Sequence, residues 1–231
     1  MEDTVSTPLY VEFYGLPGCG KSTVSHQVAD LLRTNGYSVC EPSYELDHHN
    51  SPLFRKVRKL SVVIYYWLFH HGRYQIVSDI VGDNGYKGVY RIEQISNILQ
   101  KAMVYQSPIN SEIVIWDQGL VQAAISLSLT GRVNASVNLE RVNSISSPQT
   151  NSLYIFIDVK ERVALERMAA RTTNDSRIEK LKDEKQKHQM LLRFQESIDS
   201  VSTHSKAFLV NGEDSLENQV KQVIKVIQKC Y

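Results

Sequence analysis

The sequence has few of the features that would place a protein in an oxidising compartment or on a polyanion. Its 231 residues include only three cysteines, Cys19, Cys40 and Cys230, and no CxxC pair. An odd number of widely spaced cysteines predicts reduced thiols and a cytoplasmic protein. The formal net charge is +1, so no bulk attraction to nucleic acid or to an anionic membrane is expected.

Long hydrophobic runs are missing as well. The most apolar stretch, Val62–Phe69, is far shorter than the roughly 20 residues that a spanning helix needs. The N-terminal segment MEDTVSTPLY has neither the basic nor the apolar region of a secretory signal. The 42% hydrophobic and 22% charged residues are instead typical of a globular protein, and 231 residues are enough for one α/β domain over residues 1–231.

Five short apolar runs alternate with amphipathic helical patterns along the chain. Such runs are nearly continuous and rich in β-branched residues, as is typical of strands covered on both faces. The runs are Leu9–Tyr14, Ser38–Glu41, Ile113–Trp116, Leu153–Val159 and Ala207–Val210. Alternating strands and helices predict a parallel sheet with right-handed crossovers.

Two long segments interrupt this alternation. About 70 residues separate the second and third runs, which is much longer than a normal crossover and predicts an inserted acceptor-binding region over approximately residues 43–110. The glycine-punctuated piece Gly82–Gly88 within it is predicted to be a loop. The second segment, Lys160–Val201, is helical and densely charged, and residues 167–180 of it are predicted to form a lid.

A phosphate-binding motif follows the first strand. Residues Gly15–Ser22 read GLPGCGKS and match the P-loop pattern GxxxxGK[ST]. Its glycines let the backbone wrap a phosphate with the amide groups pointing inward, and the following helix adds its positive N-terminus. Lys21 is expected to reach the β- and γ-phosphates of ATP, and Ser22 to bind Mg²⁺. The predicted nucleotide-binding residues here are Gly15, Pro17, Gly18, Cys19, Gly20, Lys21, Ser22 and Thr23.

Other motifs narrow the class of P-loop protein. The sequence contains no NKxD motif for reading guanine, which disfavours a Ras-like GTPase, and no LSGGQ-like signature of a transporter ATPase. Small-molecule kinases remain.

Two carboxylates are predicted at the edge of the sheet where the P-loop lies. Glu41 and Asp117 end the second and third strands, and ligands of open α/β sheets collect at the carboxyl ends of the strands. Glu41 is a candidate to accept a proton from an acceptor hydroxyl or to hold an acceptor sugar. Asp117 is a candidate to bind Mg²⁺ through water or to contact the acceptor.

Three arginines follow the fourth strand. Arg167 and Arg171 are four residues apart on one helical face, and Arg171 and Arg177 flank the polar turn TTND. This arrangement is typical of a lid that carries cations over a triphosphate, where guanidinium groups stabilise the charge of a transferring phosphoryl group.

Together these segments resemble the thymidylate kinase-type P-loop nucleotide kinases over nearly the whole chain. The matching segments are Gly15–Ser22, Glu41–Glu45 (EPSYE), Asp117–Gly119 (DQG) and Ala164–Glu179, which holds the three arginines. The resemblance implies a three-layer sandwich with a five-stranded parallel core, a mobile lid, and ATP with Mg²⁺ as the donor. It also implies that Arg167 lies near the adenine and that Arg171 and Arg177 approach the γ-phosphate.

The acceptor-side motifs diverge from that family. Gln118 replaces an arginine that helps to hold the acceptor's phosphate, and Cys40 replaces an arginine often found before Glu-Pro. Cations that could replace the lost contacts are Arg55, Arg58, Arg73 and Arg91. The pairs His48–His49 and His70–His71 are interpreted as solvated or loop histidines, because adjacent side chains point in different directions.

Three hypotheses for the function therefore remain open. The first is a nucleotide kinase that phosphorylates a monophosphate. The second is a kinase of a hydroxyl acceptor, such as a nucleoside or a sugar-like metabolite, with Glu41 as the base. The third is a regulatory protein that binds ATP without efficient turnover. By analogy with the helix-lined dimers of the resembled family, Val62–Phe69 is a candidate face for a homodimer.

Overall fold

A computed structural model describes most of the chain. The described residues are 7–44, 52–106, 109–146, 151–170, 178, 181, 183–203 and 206–230; for 52–56 and 146 the description covers the backbone only. Most of the predicted lid, including Arg171 and Arg177, lies outside these residues, and so do His48 and His49.

Five parallel strands form one sheet, as the sequence predicts. They are β1 (Leu9–Gly15), β2 (Val39–Cys40), β3 (Ile113–Trp116), β4 (Ser152–Asp158) and β5 (Ala207–Asn211), in the spatial order β2-β3-β1-β4-β5. Every neighbouring pair runs parallel. The predicted second strand is longer than the observed one, because β2 is an edge strand of two residues that pairs with β3 alone.

Helices cover both faces of the sheet. In the described residues they are α1 (Lys21–Thr34), α2 (Pro52–Phe69), α3 (His71–Asp83), α4 (Gly88–Gln106), α5 (Leu120–Ser128), α6 (Ala135–Ser146), α7 (Glu161–Ala169), α8 (Glu184–Ser202) and α9 (Leu216–Cys230). The result is the predicted α/β sandwich of three layers, with the sheet in the middle. No helix among the described residues is long and apolar enough to cross a membrane.

Helices α2, α3 and α4 make up most of the long insert between β2 and β3. They bury one apolar cluster with the strand residues Tyr10, Val114 and Trp116. The prediction of a loop over Gly82–Gly88 is only partly right, since α3 runs through Gly82 and α4 begins at Gly88, which leaves a link of four residues, 84–87. The buried amide of Asn84 stabilises the link by exchanging hydrogen bonds with Asn138 at 2.8 and 3.1 Å.

The parallel sheet also decides where the polar residues collect. Strands β1, β2 and β3 end at Gly15, Cys40 and Trp116, and parallel strands place their carboxyl ends at one edge. The P-loop, Glu41 and Asp117 follow these strand ends directly. One edge of the sheet therefore carries both the phosphate motif and the two predicted carboxylates.

Candidate active site

The P-loop wraps closely around its own backbone, and its glycines are required at two positions. Gly18 and Gly20 have φ angles of 85° and 100°, a left-handed conformation that side chains disfavour. A Cβ atom at Gly18 would lie 2.5 Å from the carbonyl oxygen of Ala164 in α7. The loop leads into α1, and no side-chain cap binds the first amide groups of this helix. These amide groups are thus available to bind a phosphate.

Lys21 is folded back over the P-loop. Its Nζ donates hydrogen bonds to the carbonyl oxygens of Gly15 at 3.0 Å and Leu16 at 2.9 Å, and lies 3.5 Å from the Sγ of Cys19. The side chain is only 7% exposed. The hydrogen-bond partners of this buried ammonium group are neutral carbonyl groups rather than carboxylates, which suits it to bind a phosphate that enters the loop.

Ser22 and Asp117 meet across the sheet edge. The Ser22 Oγ donates a hydrogen bond of 2.7 Å to the Asp117 Oδ2. The other carboxylate oxygen, Oδ1, is buried and has no hydrogen-bond partner among the described residues. A hydroxyl group beside a carboxylate with one free oxygen is the oxygen-rich donor set that Mg²⁺ prefers, so these two residues fit the expected metal.

Glu41 lies at the same edge but is already paired. Its carboxylate accepts a 2.7 Å hydrogen bond from the Arg33 guanidinium and lies 3.2 Å from the Nδ1 of His26. Both partners project from α1, and Arg33 also donates to the carbonyl of Val39. The side chain is 3% exposed, so burial of its negative charge is offset by these partners.

A pocket opens between these side chains. It is lined by Ser22, Ser25, Glu41, Ser43, Tyr44, Ile115 and Asp117. The Tyr44 ring stacks on His26 with the ring centroids 3.9 Å apart and the planes at 15°. The pocket therefore lies between the start of α1 and the Tyr44 ring, beside the two carboxylates.

Arg167 reaches the P-loop from α7. Its guanidinium donates to the carbonyl oxygens of Cys19 at 3.2 Å and Gly212 at 2.9 Å. The arginine is thus on the donor side of the site, beside the loop predicted to hold the phosphates. Arg171 and Arg177 lie outside the described residues, and their roles stay predictions.

Of the other arginines considered for the acceptor, two bind partners within the helical insert. Arg73 donates to the Gln106 side chain, and Arg91 donates to the Ser78 hydroxyl at 2.8 Å. Arg58 is exposed on α2, and the side chain of Arg55 is not described. The structure gives neither Arg73 nor Arg91 a contact with the strand ends.

The histidine pair His70–His71 forms no metal cluster among the described residues. The group there whose ligand atoms lie close enough together is His26, Asp30 and Glu41. Arg33 binds both carboxylates of this group, Asp30 at 3.2 Å and Glu41 at 2.7 Å. Because a guanidinium already neutralises these charges, the group is better described as an ion-pair network than as a metal site.

Sequence reasoning overlooked Glu12, a buried carboxylate on β1. Its Oε1 accepts hydrogen bonds from the backbone N–H groups of Val121 at 2.5 Å and Gln122 at 3.3 Å, at the start of α5. Burial raises the pKa of Glu12 to about 7, although these hydrogen bonds and the nearby Lys101 ammonium oppose the rise. The available clue was a single charged residue inside an otherwise apolar strand.

Gln122 was also overlooked, and it links α5 to the P-loop. Its Oε1 accepts a 3.1 Å hydrogen bond from the backbone N–H of Gly15. The side chain is buried. No local sequence pattern marks such a residue, because its partner lies 107 positions away.

Comparison with known proteins agrees with this architecture. No protein-family model matches the sequence. A thymidylate kinase from Finegoldia magna is 24% identical over 230 residues, which cover 96% of this chain and 98% of that protein. Among solved structures, a deoxyadenosine kinase from M. mycoides with bound dATP has a TM-score of 0.57 and 17% identity, and covers 95% of this chain and 100% of its own.

A thymidylate kinase from Ehrlichia chaffeensis also matches in structure. Its TM-score is 0.56 at 15% identity, over 96% of this chain and 98% of that one. The fold predicted from the strand and helix pattern is thereby confirmed. So is the resemblance to thymidylate kinase-type P-loop kinases.

Proposed function

We propose that this chain transfers the γ-phosphoryl group of Mg²⁺·ATP to a nucleoside monophosphate. The observation that carries the proposal is the 2.7 Å hydrogen bond between Ser22 and Asp117. This hydrogen bond joins the P-loop to the end of β3, and a pocket lined by both residues opens beside it. An acceptor would have room there next to the phosphates. The thymidylate kinase from Finegoldia magna, which spans nearly the same length, supports the choice of a monophosphate.

The residues of the site divide into a donor group and a transfer group. The backbone of Gly15–Gly20 would surround the phosphates with Thr23 beside them, and Arg167 would lie on the nucleotide side. Lys21 would exchange its two carbonyl partners for phosphate oxygens. We assign the lid arginines, Arg171 and Arg177, to the transferring phosphoryl group.

Ser22 and Asp117 would hold the metal, with Asp117 acting through water. When bound there, Mg²⁺ neutralises phosphate charge as the phosphoryl group transfers. The Ser22 hydroxyl and the Asp117 carboxylate would determine where that charge is neutralised. Closure of the lid would exclude water, which otherwise takes the phosphoryl group in place of the acceptor.

The pairing of Glu41 favours an acceptor that needs no strong base. A phosphate oxygen of a monophosphate is already ionised at neutral pH, whereas a hydroxyl acceptor must lose a proton as it attacks. Arg33 lies 2.7 Å from one oxygen of Glu41 and His26 lies 3.2 Å from the other, so each carboxylate oxygen already has a partner. We therefore assign Glu41 to the structure of the acceptor pocket rather than to proton transfer.

A hydroxyl acceptor is the second candidate, because Glu41 lines the same pocket as Asp117. The deoxyadenosine kinase with the same fold acts on a nucleoside. In this alternative Glu41 would leave Arg33 and accept the proton of the hydroxyl group. A regulatory ATP-binding protein is disfavoured by the intact set of Lys21, Ser22 and Asp117.

An acceptor panel separates the two kinase hypotheses. With ATP and Mg²⁺, ADP formation is expected to be stimulated by nucleoside monophosphates and not by nucleosides or simple sugars. Glu41→Gln is expected to change kcat by less than about tenfold, because Glu41 is not the base in this proposal. Loss of a general base would cost about 10²–10⁴-fold. Stimulation by nucleosides alone, together with a loss of that larger size in Glu41→Gln, would instead establish Glu41 as the base.

We further propose that the chain forms a homodimer through the exposed face of α2. The predicted face Val62–Phe69 contributes only in part, because Val62 and Tyr66 are buried in the helical insert. Exposed apolar side chains recur every three or four residues along this helix, at Val57, Leu60, Ile64 and Trp67, and Phe69 at its end is 71% exposed. The helix has no acidic residue, and its basic residues lie in the first half. A two-fold axis near the second half would pair the apolar surfaces and keep the basic halves apart.

Light scattering coupled to size exclusion tests the dimer. The wild type is expected at twice the mass of one chain, and Ile64→Asp at the mass of one chain, because a buried unpaired carboxylate opposes association. Val137→Asp is the matched control, since Val137 is exposed to a similar extent on α6. A monomeric wild type, or a dimer that survives Ile64→Asp, would contradict the proposed interface.

A further inference from the structure

Two side chains from other elements hold the turn that presents Asp117. The turn consists of Asp117, Gln118 and Gly119, between the end of β3 and the start of α5. A three-residue turn has few hydrogen bonds of its own, so the direction of the Asp117 carboxylate depends on what fixes these residues. The two side chains are Glu12 and Lys101, which we call the turn clamp.

Glu12 holds the end of the turn through the start of α5. Its carboxylate accepts hydrogen bonds from the N–H groups of Val121 and Gln122. These are first-turn amides of a helix whose N-cap residue, Gly119, has no side chain to pair with them. Glu12 therefore acts as an N-terminal cap of α5, although it belongs to β1 rather than to the helix.

Gly119 shows how close this contact is. A Cβ atom built on Gly119 would lie 2.3 Å from the carboxyl carbon of Glu12. The φ angle of Gly119 is −89°, so a left-handed backbone is not what calls for glycine here. The glycine is needed because the carboxylate of Glu12 occupies the place of its side chain.

Lys101 holds the middle of the turn from α4. Its Nζ donates a 2.5 Å hydrogen bond to the backbone carbonyl oxygen of Gln118. The same ammonium group lies 5.3 Å from the centroid of the Trp116 ring, the last residue of β3. Lys101 thus fixes the peptide group between Gln118 and Gly119 and packs against Trp116, the residue that precedes Asp117.

The clamp also connects the turn to the P-loop. Glu12 stands on β1, the strand that ends at Gly15 where the P-loop begins. The backbone N–H of Gln122 donates a hydrogen bond to Glu12, and the side-chain Oε1 of Gln122 accepts one from the N–H of Gly15. Ser22 and Asp117 come from these two connected segments, so the clamp limits how far the two proposed metal ligands can move apart.

We propose that Glu12 and Lys101 are positioning residues that orient Asp117 toward the Mg²⁺ site. The inference rests on the proposed role of Asp117 as a metal-binding residue. Groups behind a ligand typically change metal affinity by about 10–100-fold when they are removed, because the ligand then loses its fixed direction. Glu12 and Lys101 make contacts of this kind with the backbone that follows Asp117, at Val121 and at Gln118.

The test measures metal affinity without any acceptor. Titration of the protein–ATP complex with Mn²⁺, followed by electron paramagnetic resonance, is expected to show about tenfold weaker metal binding in Glu12→Leu and in Lys101→Met. Leucine fills the space of Glu12 but accepts no hydrogen bond, and methionine removes the ammonium group of Lys101. ATP affinity without metal is expected to stay within about twofold in both.

Conservative variants and a matched control make the test specific. Glu12→Gln and Lys101→Arg are expected to retain wild-type metal affinity, since the amide oxygen still accepts and the guanidinium still donates. Tyr105→Phe is the control, because the Tyr105 hydroxyl contacts the other carboxylate oxygen of Glu12 at 3.3 Å and leaves the turn untouched. It is expected to bind Mn²⁺ as the wild type does.

Two results would overturn the proposal: unchanged Mn²⁺ affinity in Glu12→Leu and Lys101→Met, or an equal loss in Tyr105→Phe. If circular dichroism shows Glu12→Leu to be unfolded, Lys101→Met decides, because Lys101 is only partly buried. No acceptor is present in this experiment. A failure of the proposed acceptor class therefore appears only in the acceptor panel, and the two failures remain distinguishable.

Discussion

Replacing Lys21 with alanine is expected to lower kcat by about 10²–10³-fold or more, which is the size of effect found when one charge-stabilising donor is removed from a transition state. The ammonium group of Lys21 is held over the P-loop by the carbonyl oxygens of Gly15 and Leu16. In the proposed reaction it would neutralise the phosphate oxygens as the γ-phosphoryl group transfers. Because it contacts the phosphates before and during transfer, its loss is expected to weaken ATP binding as well as turnover.

Steady-state kinetics and ATP binding by calorimetry measure the two effects of Lys21→Ala. Lys225→Ala serves as the control, since Lys225 is an exposed lysine on α9. Arg171→Ala is expected to lower turnover by a comparable factor while sparing ATP binding more, because a lid cation acts mainly on the transferring group. An equal loss of ATP affinity in Lys21→Ala and Arg171→Ala would contradict the proposed division of roles.

The second large effect concerns stability, which is expected to fall as the pH rises from about 5 to about 8. The pKa of Glu12 is about 7 in the folded protein, raised from 4.5 chiefly by burial. Between these two values the folded state binds a proton that the unfolded state releases, so the stabilisation is complete below the unfolded pKa and is lost as the pH rises through the folded one. Integrated over this interval, the loss is roughly 3 kcal/mol.

Other titratable groups lie near Glu12, and their charges also affect its carboxylate. They are Lys101 and Tyr105 on α4 and Tyr154 on β4. Burial raises the pKa of both tyrosines, so they remain neutral over this pH range. Glu12 is therefore the member of this group that changes its charge near neutral pH.

Urea unfolding at a series of pH values tests the assignment. The wild type is expected to lose stability toward pH 8, whereas Glu12→Gln is expected to show a flatter profile, because it has no carboxyl group to titrate. Glu196→Gln is the control, since Glu196 is an exposed carboxylate on α8. Parallel profiles for the wild type and Glu12→Gln would show that Glu12 is not the titrating group.

The sequence alone was sufficient for the fold and for the position of the P-loop at the edge of the sheet. Each strand is a short apolar run whose pattern is local, and the P-loop is a continuous motif of eight residues, Gly15–Ser22. Once the strands were known to be parallel, the position of Asp117 and Glu41 beside the P-loop followed from the common edge at which such strands end. Local patterns and one topological rule were thus enough for these parts.

Only the tertiary structure revealed which hydrogen-bond partners each carboxylate has at that edge. Asp117 has one oxygen bound to Ser22 and one without a partner among the described residues, whereas Glu41 is bound by Arg33 and His26. In sequence the two carboxylates look equivalent, since each directly follows an apolar strand. The difference arises because α1 places a cation and a histidine against one of them and a hydroxyl group against the other.

The turn clamp also became visible only in three dimensions. Glu12 caps a helix that begins 108 positions later in the chain, and Lys101 binds a carbonyl group 17 positions away. Sequence patterns report which residues share a strand or a helical face, because those relations repeat with a short period. Contacts between a strand, a turn and a separate helix have no period, so the packing of the folded chain alone decides them.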